Sequence, residues 1–532
     1  MALALAYEAA PAFDSALEVK QSAGFPLAWM AAFTERAEAK DAPGSDSPYQ
    51  ISELEPGISG DEYRRAIHAI RHYIERGDTY QVNFTFPLRG SVCGDAFRCF
   101  RSLAQSERPA YASWLDIGSH RILSFSPELF VDRRGGKLIT RPMKGTMSRG
   151  RWLEEDSARA RELSASVKDR AENVMIVDLM RSDLGKVAQT GSVEVDNLFD
   201  VESLGRVLQM TSTVTAVQRP DVTVVDILTA LFPCGSVTGA PKSRSMEIIS
   251  ELEQAPRGIY TGAIGLLNPH GDAMFSVPIR TLSLEKDGTA TLGVGGAITW
   301  DSTADGEYEE CRLKAKFLTD PWPEFDLLET MALRDGEYWL LDRHLRRAHD
   351  SARYFGFRWN DEDILATLEE VRASHREGSW RVRLTIGREG NARTQVVPLA
   401  ERGTAPRIVK FASRAIDDRD PLVFHKTTAR ARYDSELERC QPCDDVIFWN
   451  DRGEVTESTI ANVVVFTEGK HWTPPREAGL LAGTLRNELI SKGELFERTI
   501  MKAELASAES FFLINSVRGS MPARLESTGD AL

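Results

Sequence analysis

Lys144 stands in the run Thr140-Arg141-Pro142-Met143-Lys144-Gly145-Thr146, where a glycine turn among apolar and hydroxyl neighbours could hold a lysine as a covalent nucleophile. Such a lysine has to be neutral, which needs a depressed pKa that a solvated lysine lacks. Upstream, Ser126-Pro127-Glu128-Leu129 supplies a carboxyl group able to act as general acid and base beside it. On spacing alone the same two residues also read as a cross-strand salt bridge. Further carboxylates follow: Glu172 opens the apolar run Ala171–Gly185, and Glu307, Glu310 and Lys314 fall at i, i+3 and i+7, on one helical face. Carboxylates from separate helices suit Mg²⁺ when a substrate oxygen and waters complete its octahedron, and they equally suit a solvated ladder of ion pairs.

Elements must exist to position these groups. The pattern predicts a hairpin with residues 122–131 as one arm, Arg133-Arg134-Gly135-Gly136 as the turn and residues 137–143 as the other arm, which sets Glu128 on a strand adjacent to that of Lys144. The stretch 171–185 reads as a helix opened by Glu172 and closed by Gly185. In residues 232–242 proline separates glycine from lysine, so the phosphate-loop pattern fails and a carboxylate-cradling turn is expected. Residues 293–298 lack the third glycine and the strand-to-helix setting of a dinucleotide site, and read as a strand against which a ligand packs closely.

Near residue 320 the pattern changes. Thr319-Asp320-Pro321-Trp322-Pro323 supplies two helix breakers, dividing the chain into halves at 1–320 and 321–532. In the second half the chemistry-bearing landmarks are His344-Leu345-Arg346-Arg347, the alternating strand Arg381-Val382-Arg383, His425-Lys426-Thr427-Thr428, Tyr433, Glu457 with Asn462, and Leu481-Ala482-Gly483-Thr484. Singly these are ordinary: Asn450 to Gly453 is a hairpin turn, and Leu481 to Thr484 a helix start.

Composition narrows the field. A chain of 532 residues with 42% hydrophobic and 27% charged content is a multidomain globular protein. Its net charge of -14 argues against a nucleic-acid partner, so anionic ligands must be met by local arginines. No apolar run reaches membrane-spanning length, the N-terminus is a poor signal peptide, and six cysteines are few, all of which fits a cytoplasmic protein. Cys440 and Cys443 lack the second pair that a zinc site needs and are expected to be ordinary thiols.

Taken together, the motifs of residues 60–320 resemble the anthranilate synthase component I and aminodeoxychorismate synthase family of chorismate-utilising enzymes. The resemblance implies a β-sandwich-like α/β fold and a chorismate site in which Glu172 and Glu310, with Glu307 beside them, hold Mg²⁺ on the ring carboxylate, Glu128 is acid and base toward the 4-hydroxyl, and Arg280 grips a carboxylate. Gln81, Thr146, Thr238, Gly239, Tyr260, Gly296 and Lys314 would line the pocket. Gln81 occupies the place where water-adding relatives carry a lysine base, which implies amination. Lys144 matches the Pro-Ile-Lys-Gly-Thr signature of the aminodeoxychorismate branch, whereas the anthranilate pattern has a small residue there; the lysine would attack carbon 2 before ammonia adds at carbon 4. Two departures stand out. Gln209 replaces a family histidine, and the early strands of the family are expected to be missing, because Tyr7 to Phe13 corresponds to an interior segment.

The second half resembles class IV aminotransferases, a fold-type IV architecture of two α/β subdomains. That resemblance implies pyridoxal phosphate carried by Lys426, with Glu457 on the pyridine nitrogen, Arg347 and the Gly483-Thr484 amides on the phosphate, and Tyr433 on the phenolic oxygen. It also implies a homodimer through this half. The two resemblances combine into a bifunctional route from chorismate and ammonia to p-aminobenzoate, a folate precursor, with aminodeoxychorismate lyase as the second activity; a D-amino acid or branched-chain aminotransferase, or a half retained only as a scaffold, are the alternatives. No glutaminase elbow surrounds Cys93 or Cys99, so nitrogen is expected from a separate glutamine amidotransferase subunit or from free ammonia.

Overall fold

The computed structural model describes all residues except 22–23, 38–46, 401–404, 509 and 527–532. The described chain divides into two compact units, Met1–Arg149 with Arg159–Trp322, and Gly150–Ala158 with Pro323–Leu532. The division falls two residues beyond the expected 320, because Trp322 is buried and holds the Arg206 guanidinium over its ring at 4.1 Å. Gly150–Ala158 belongs to the second unit, where the indole of Trp152 packs on Phe424 at 5.1 Å. Among the described residues no helix is long and apolar enough to cross a membrane.

The first unit has two large sheets. One runs Met143–Ser148, Val207–Val217, Lys137–Arg141, Leu129–Arg134, Ala273–Ser276, Ala263–Leu267, Ala2–Leu5 and Ala28–Ala31. Helix Val167–Gly185 packs its Ile176, Val177, Met180 and Leu184 against it. The other sheet runs Gly239–Ala240, Gln81–Gly94, Thr289–Ile298, Thr281–Glu285, His120–Ser126 and Tyr111–Asp116, and is covered by helices that include Gly60–Glu75 and Ala304–Thr319. Strand alternation explains the division of labour. Val82, Phe84 and Phe86 face that core, which leaves Gln81, Asn83 and Thr85 on the opposite face.

The predicted hairpin arm 122–131 is not one strand. Residues up to Ser126 belong to one sheet and Leu129 onward to the other, with Pro127 and Glu128 as the crossing. Proline has no N–H to give the ladder, so pairing stops there and the chain changes sheets. Glu128 therefore sits between strands rather than on one. The helix expected at 171–185 begins earlier, at Val167, capped by Ser166, so Glu172 lies within it.

The second unit contains a four-stranded sheet, Glu337–Tyr338, Leu327–Arg334, Ser379–Ile386 and Ala392–Pro398, and an eight-stranded sheet whose Val455–Ser458 pairs with both Asp445–Trp449 and Asn462–Thr467. Helices Leu341–Phe355 and Asp361–Ser374 cover the smaller sheet. The turn expected at Asn450 to Gly453 joins two antiparallel strands, as predicted.

A buried ion pair braces the first unit. Arg257 donates from Nε and Nη2 to Glu253 at 2.9 and 2.6 Å, and its remaining donors reach the carbonyls of Val237 (2.8 Å) and Asn83 (2.7 Å). Both side chains are at most 4% exposed. Removing one partner of such a pair strands the other charge, a cost of about 3–5 kcal/mol. Arg257→Met is therefore expected to lower the first unit's thermal midpoint by roughly 10 °C in a calorimetric scan, and a midpoint within error of wild type would contradict the bracing role.

Candidate functional site

A cavity of about 340 Å³ in the first unit gathers Glu128, Lys144, Thr146, Glu172, Tyr260, Arg280, Gly296, Glu307, Glu310 and Lys314. Ten of the residues expected from the sequence thus share one wall-to-wall space. Three do not line it: Gln81, Thr238 and Gly239 lie behind the surface. Gln81 is fully buried, and neither polar atom of its carboxamide has a hydrogen-bond partner. Unpartnered buried amides are rare, and such a group suits a small hydrogen-bonding guest.

The central contact is a relay. Lys144 Nζ donates to the Ser236 carbonyl at 2.7 Å, and Ser236 Oγ donates to Glu128 Oε1 at 2.5 Å. Lys144 and Glu128 are 8% and 3% exposed. Burial drives both toward neutrality: it pushes the Glu128 carboxyl up to about 7, against the opposing pull of Ser236 and Lys144, and it pulls the Lys144 ammonium below its ordinary range, against Glu128 and Glu172. A carboxyl group that burial shifts toward its protonated form and a lysine whose ammonium form burial disfavours suit the roles of acid and nucleophile. Ser236 was not singled out from sequence, although the turn that carries it was.

Glycines shape the walls. A Cβ at Gly293 would come within 2.2 Å of the Tyr260 ring, so only glycine lets that ring lie on the strand. At Gly296 a Cβ would meet Glu307 Oε2 at 3.1 Å. Arg280 holds a left-handed backbone at φ 49°, a conformation that costs a non-glycine residue energy and that clusters at functional sites.

The carboxylates expected to hold Mg²⁺ are not gathered on one point. Among the described residues no three His, Cys, Asp or Glu side chains lie close enough to hold an ion by themselves. Glu310 turns to Lys314 Nζ at 2.7 Å, Glu307 accepts from Ser302 Oγ at 2.7 Å, and Glu172 lies 3.9 Å from Lys168. Burial raises Glu172 to about 7 and raises Glu307 as well, whereas Lys314 holds Glu310 low. The all-oxygen donor set fits Mg²⁺, which keeps few protein ligands and fills its shell with water and substrate.

A second cavity, of about 310 Å³, lies in the second unit and is lined by Arg347, Lys426, Tyr433, Glu457, Gly483 and Thr484, all six residues expected there. Burial lowers Lys426 to about 8, with Arg347 adding to the effect, and raises Glu457 to about 7. Glu457 accepts from Tyr433 Oη at 2.8 Å and from the Leu481 amide at 3.1 Å. Arg347 is held by Glu329 through Nε (2.8 Å) and Nη2 (2.6 Å), and Glu329 also takes His344 Nδ1 at 2.6 Å. Gly483 caps helix Thr484–Ser491, and a Cβ there would strike Asn462 Oδ1 at 2.1 Å. A buried lysine, an acid across the cavity, an arginine and an open helix N-terminus form a donor set that fits pyridoxal phosphate. Arg381 and Arg383 also line this cavity; their i, i+2 spacing puts both on one strand face, a signal present in the sequence but not assigned a role.

Residues 18–320 match the family of chorismate binding enzymes. The chain belongs to that family. Residues 326–525 match amino-transferase class IV, so the chain joins a chorismate-binding domain to a class IV aminotransferase domain. Aminodeoxychorismate synthase component 1 of Klebsiella aerogenes is 40% identical over 284 residues, 53% of this chain and 61% of that protein. Anthranilate synthase component 1 of Acetivibrio thermocellus is also 40% identical, over 261 residues, 49% of this chain and 53% of that protein. Among solved structures, anthranilate synthase component I of Streptococcus pneumoniae TIGR4 aligns with a TM-score of 0.53 and 29% identity, covering 60% of this chain and 80% of that one. The chorismate-binding chain thus spans little more than half the length of these curated relatives. Equal identity to differently named relatives leaves their separation to the site residues.

One expectation follows from the class IV cavity alone. Lys426 should react with a small amine-directed reagent with a midpoint near pH 8, well below that of surface lysines. Peptide mapping of the modified chain across pH checks it; a midpoint above pH 10 would refute the lowered pKa.

Proposed function

We propose that this chain converts chorismate to p-aminobenzoate in two steps, amination at carbon 4 in the first unit and elimination of pyruvate in the second. The observation that carries the first step is Lys144: a buried lysine with a lowered pKa, in one cavity with Glu128, whose carboxyl burial raises to about 7. In this reading Lys144 Nζ bonds to carbon 2, the two ring double bonds shift, and the carbon 4 hydroxyl leaves as water with the Glu128 proton. Ammonia then bonds to carbon 4, the double bonds shift back, and the bond from carbon 2 to Lys144 breaks. The proton shed by the added nitrogen returns to Glu128. The substrate's carboxylates face Arg280 and Lys314, and Glu172, Glu307 and Glu310 would hold Mg²⁺, which would supply positive charge to a substrate carboxylate. The position where water-adding relatives carry a lysine base holds Gln81, an amide that is no base, which favours ammonia over activated water.

Pyridoxal phosphate in the second unit would supply an electron sink for the carbon 4 amine. Lys426 takes the proton from carbon 4, the bond from carbon 3 to the enolpyruvyl oxygen breaks, and the ring becomes aromatic as pyruvate departs. Glu457 would pair with the cofactor's protonated ring nitrogen, and Arg347 with the Gly483 and Thr484 amides would hold its phosphate. Arg381 and Arg383 add cationic donors suited to a substrate that carries two carboxylates. The ammonia source would be a partner glutamine amidotransferase or ammonium in solution.

Purified chain given chorismate, Mg²⁺, pyridoxal phosphate and an ammonium salt, without any keto acid, is expected to form p-aminobenzoate. Lys144→Ala should abolish it, and Lys426→Ala should stop at the aminated, unaromatised intermediate, both read by chromatography. Anthranilate as product, or full activity in Lys144→Ala, would overturn the reading.

The pH dependence has a definite sign. Glu128 donates only when protonated, and its carboxyl loses the proton through about pH 7. The first step should therefore slow about tenfold per pH unit above that point. Glu128→Gln should remove that limb and lower the rate by roughly 10²-fold or more; a limb that survives in the variant assigns it to another group.

A further inference from the structure

Gln209 stands where the family resemblance expects a histidine, and nothing in the proposed reaction uses it. Its surroundings give it a task. Strand Met143–Ser148 pairs with Val207–Val217 so that Met143 faces Thr211 and Thr146 faces Gln209. Two residues, Lys144 and Gly145, thus oppose the single Met210, which is a β-bulge. A bulge interrupts the ladder and re-aims the side chain it carries. Here it carries Lys144, whose amine reaches the Ser236 carbonyl on the cavity wall.

The bulge needs a special backbone and a brace. Gly145 takes φ +88°, and a Cβ there would press on Asp169 Cβ at 3.0 Å, so the chain turns here only because the residue is glycine. An interrupted ladder leaves a carbonyl without its strand partner. Gln209 Nε2 donates to that Gly145 carbonyl at 2.7 Å, and Gln209 Oε1 accepts from Thr146 Oγ1 at 3.0 Å. One carboxamide therefore grips two consecutive residues immediately after the lysine, with a donor and an acceptor that only an amide presents in this spacing.

We propose that Gln209 is the positioning residue for Lys144: its carboxamide closes the bulge through the Gly145 carbonyl and the Thr146 hydroxyl and so fixes where the amine points. This rests on the reading of Lys144 as nucleophile. It differs from a substrate contact in what it changes, because a loosened nucleophile lowers turnover while leaving substrate affinity in place. Gln209→Glu is the informative variant. It keeps the shape and the acceptor for Thr146 but faces the Gly145 carbonyl with an oxygen that cannot donate.

The full chain should be assayed for carbon 4 amination with chorismate and ammonium, as wild type, Gln209→Glu and Gln209→Leu, the last filling the space with no polar atom. Both variants are expected to lower kcat by roughly tenfold or more, with the KM for chorismate within about twofold of wild type. In the same samples, modification of Lys144 by a small amine reagent should quicken in both variants relative to Lys426, since a freed lysine leaves its hold on Ser236. That second readout needs no turnover, so it judges the clamp even if the wild-type chain leaves chorismate unchanged, the result that would overturn the proposed function instead. Wild-type kcat in either variant, a raised KM with unchanged kcat, or unaltered Lys144 modification would overturn the proposal.

Discussion

The Arg257–Glu253 pair is the constraint from which the chorismate-binding unit is hung. A guanidinium with almost no exposure must satisfy all its donors inside the protein, and it does so by reaching four separate places: the carboxylate one turn back, the Val237 carbonyl, the Asn83 carbonyl and the Thr261 hydroxyl. Asn83 and Val237 both face the cavity that holds Lys144. Glu253 in turn accepts from the Thr85 amide, and Glu8 caps the Arg257 and Gly258 amides, drawing the N-terminal segment into the same knot. Because each bond is charge-assisted and water is excluded, the walls of the cavity are fixed relative to one another before any substrate arrives.

Both cavities use burial as their main chemical instrument. In the first, exclusion of water disfavours the charged forms of both Lys144 and Glu128, which are bridged by Ser236. In the second, burial lowers Lys426 and raises Glu457 across the same space. The direction of each shift follows first from the lower dielectric surroundings; carboxylates oppose it at both lysines, while Arg347 and Arg430 add to it at Lys426. This division of roles accounts for how one polypeptide can prepare two different lysines for two different tasks with ordinary side chains.

Much of this was legible from residue types and order. Lys144, Glu128 and the carboxylates of the two helices line one cavity and the six residues of the second half line another, although Glu128 sits between strands rather than on one and the carboxylates do not converge on a point. Gln81, Thr238 and Gly239 were read as lining and instead lie behind the surface, because strand alternation and a tight turn set depth, which a motif does not encode. The crossing at Pro127 was hidden by the continuous apolar run on either side of it, since periodicity alone does not reveal which sheet a strand joins. The contacts of Ser236 and Gln209 escaped notice for a common reason, although Gln209 itself stood out as the replacement of a family histidine. Their roles rest on backbone carbonyls as partners, and a carbonyl leaves no mark in the sequence.

The carboxylate beneath Arg347 carries a consequence for how the second unit would receive its cofactor. Burial alone would raise Glu329, yet Arg347 and His344 hold it at about 2, so it stays anionic through the whole physiological range. Three of the guanidinium's donors are therefore already committed, two to Glu329 and one to the Ala482 carbonyl, and its plane is locked before a phosphate comes near. The arginine arrives with part of its charge answered and almost none of its rotational freedom left to lose. A site built in this way exchanges some raw attraction for geometric selectivity: it favours an anion that fits the remaining edge, and it releases one that merely carries charge.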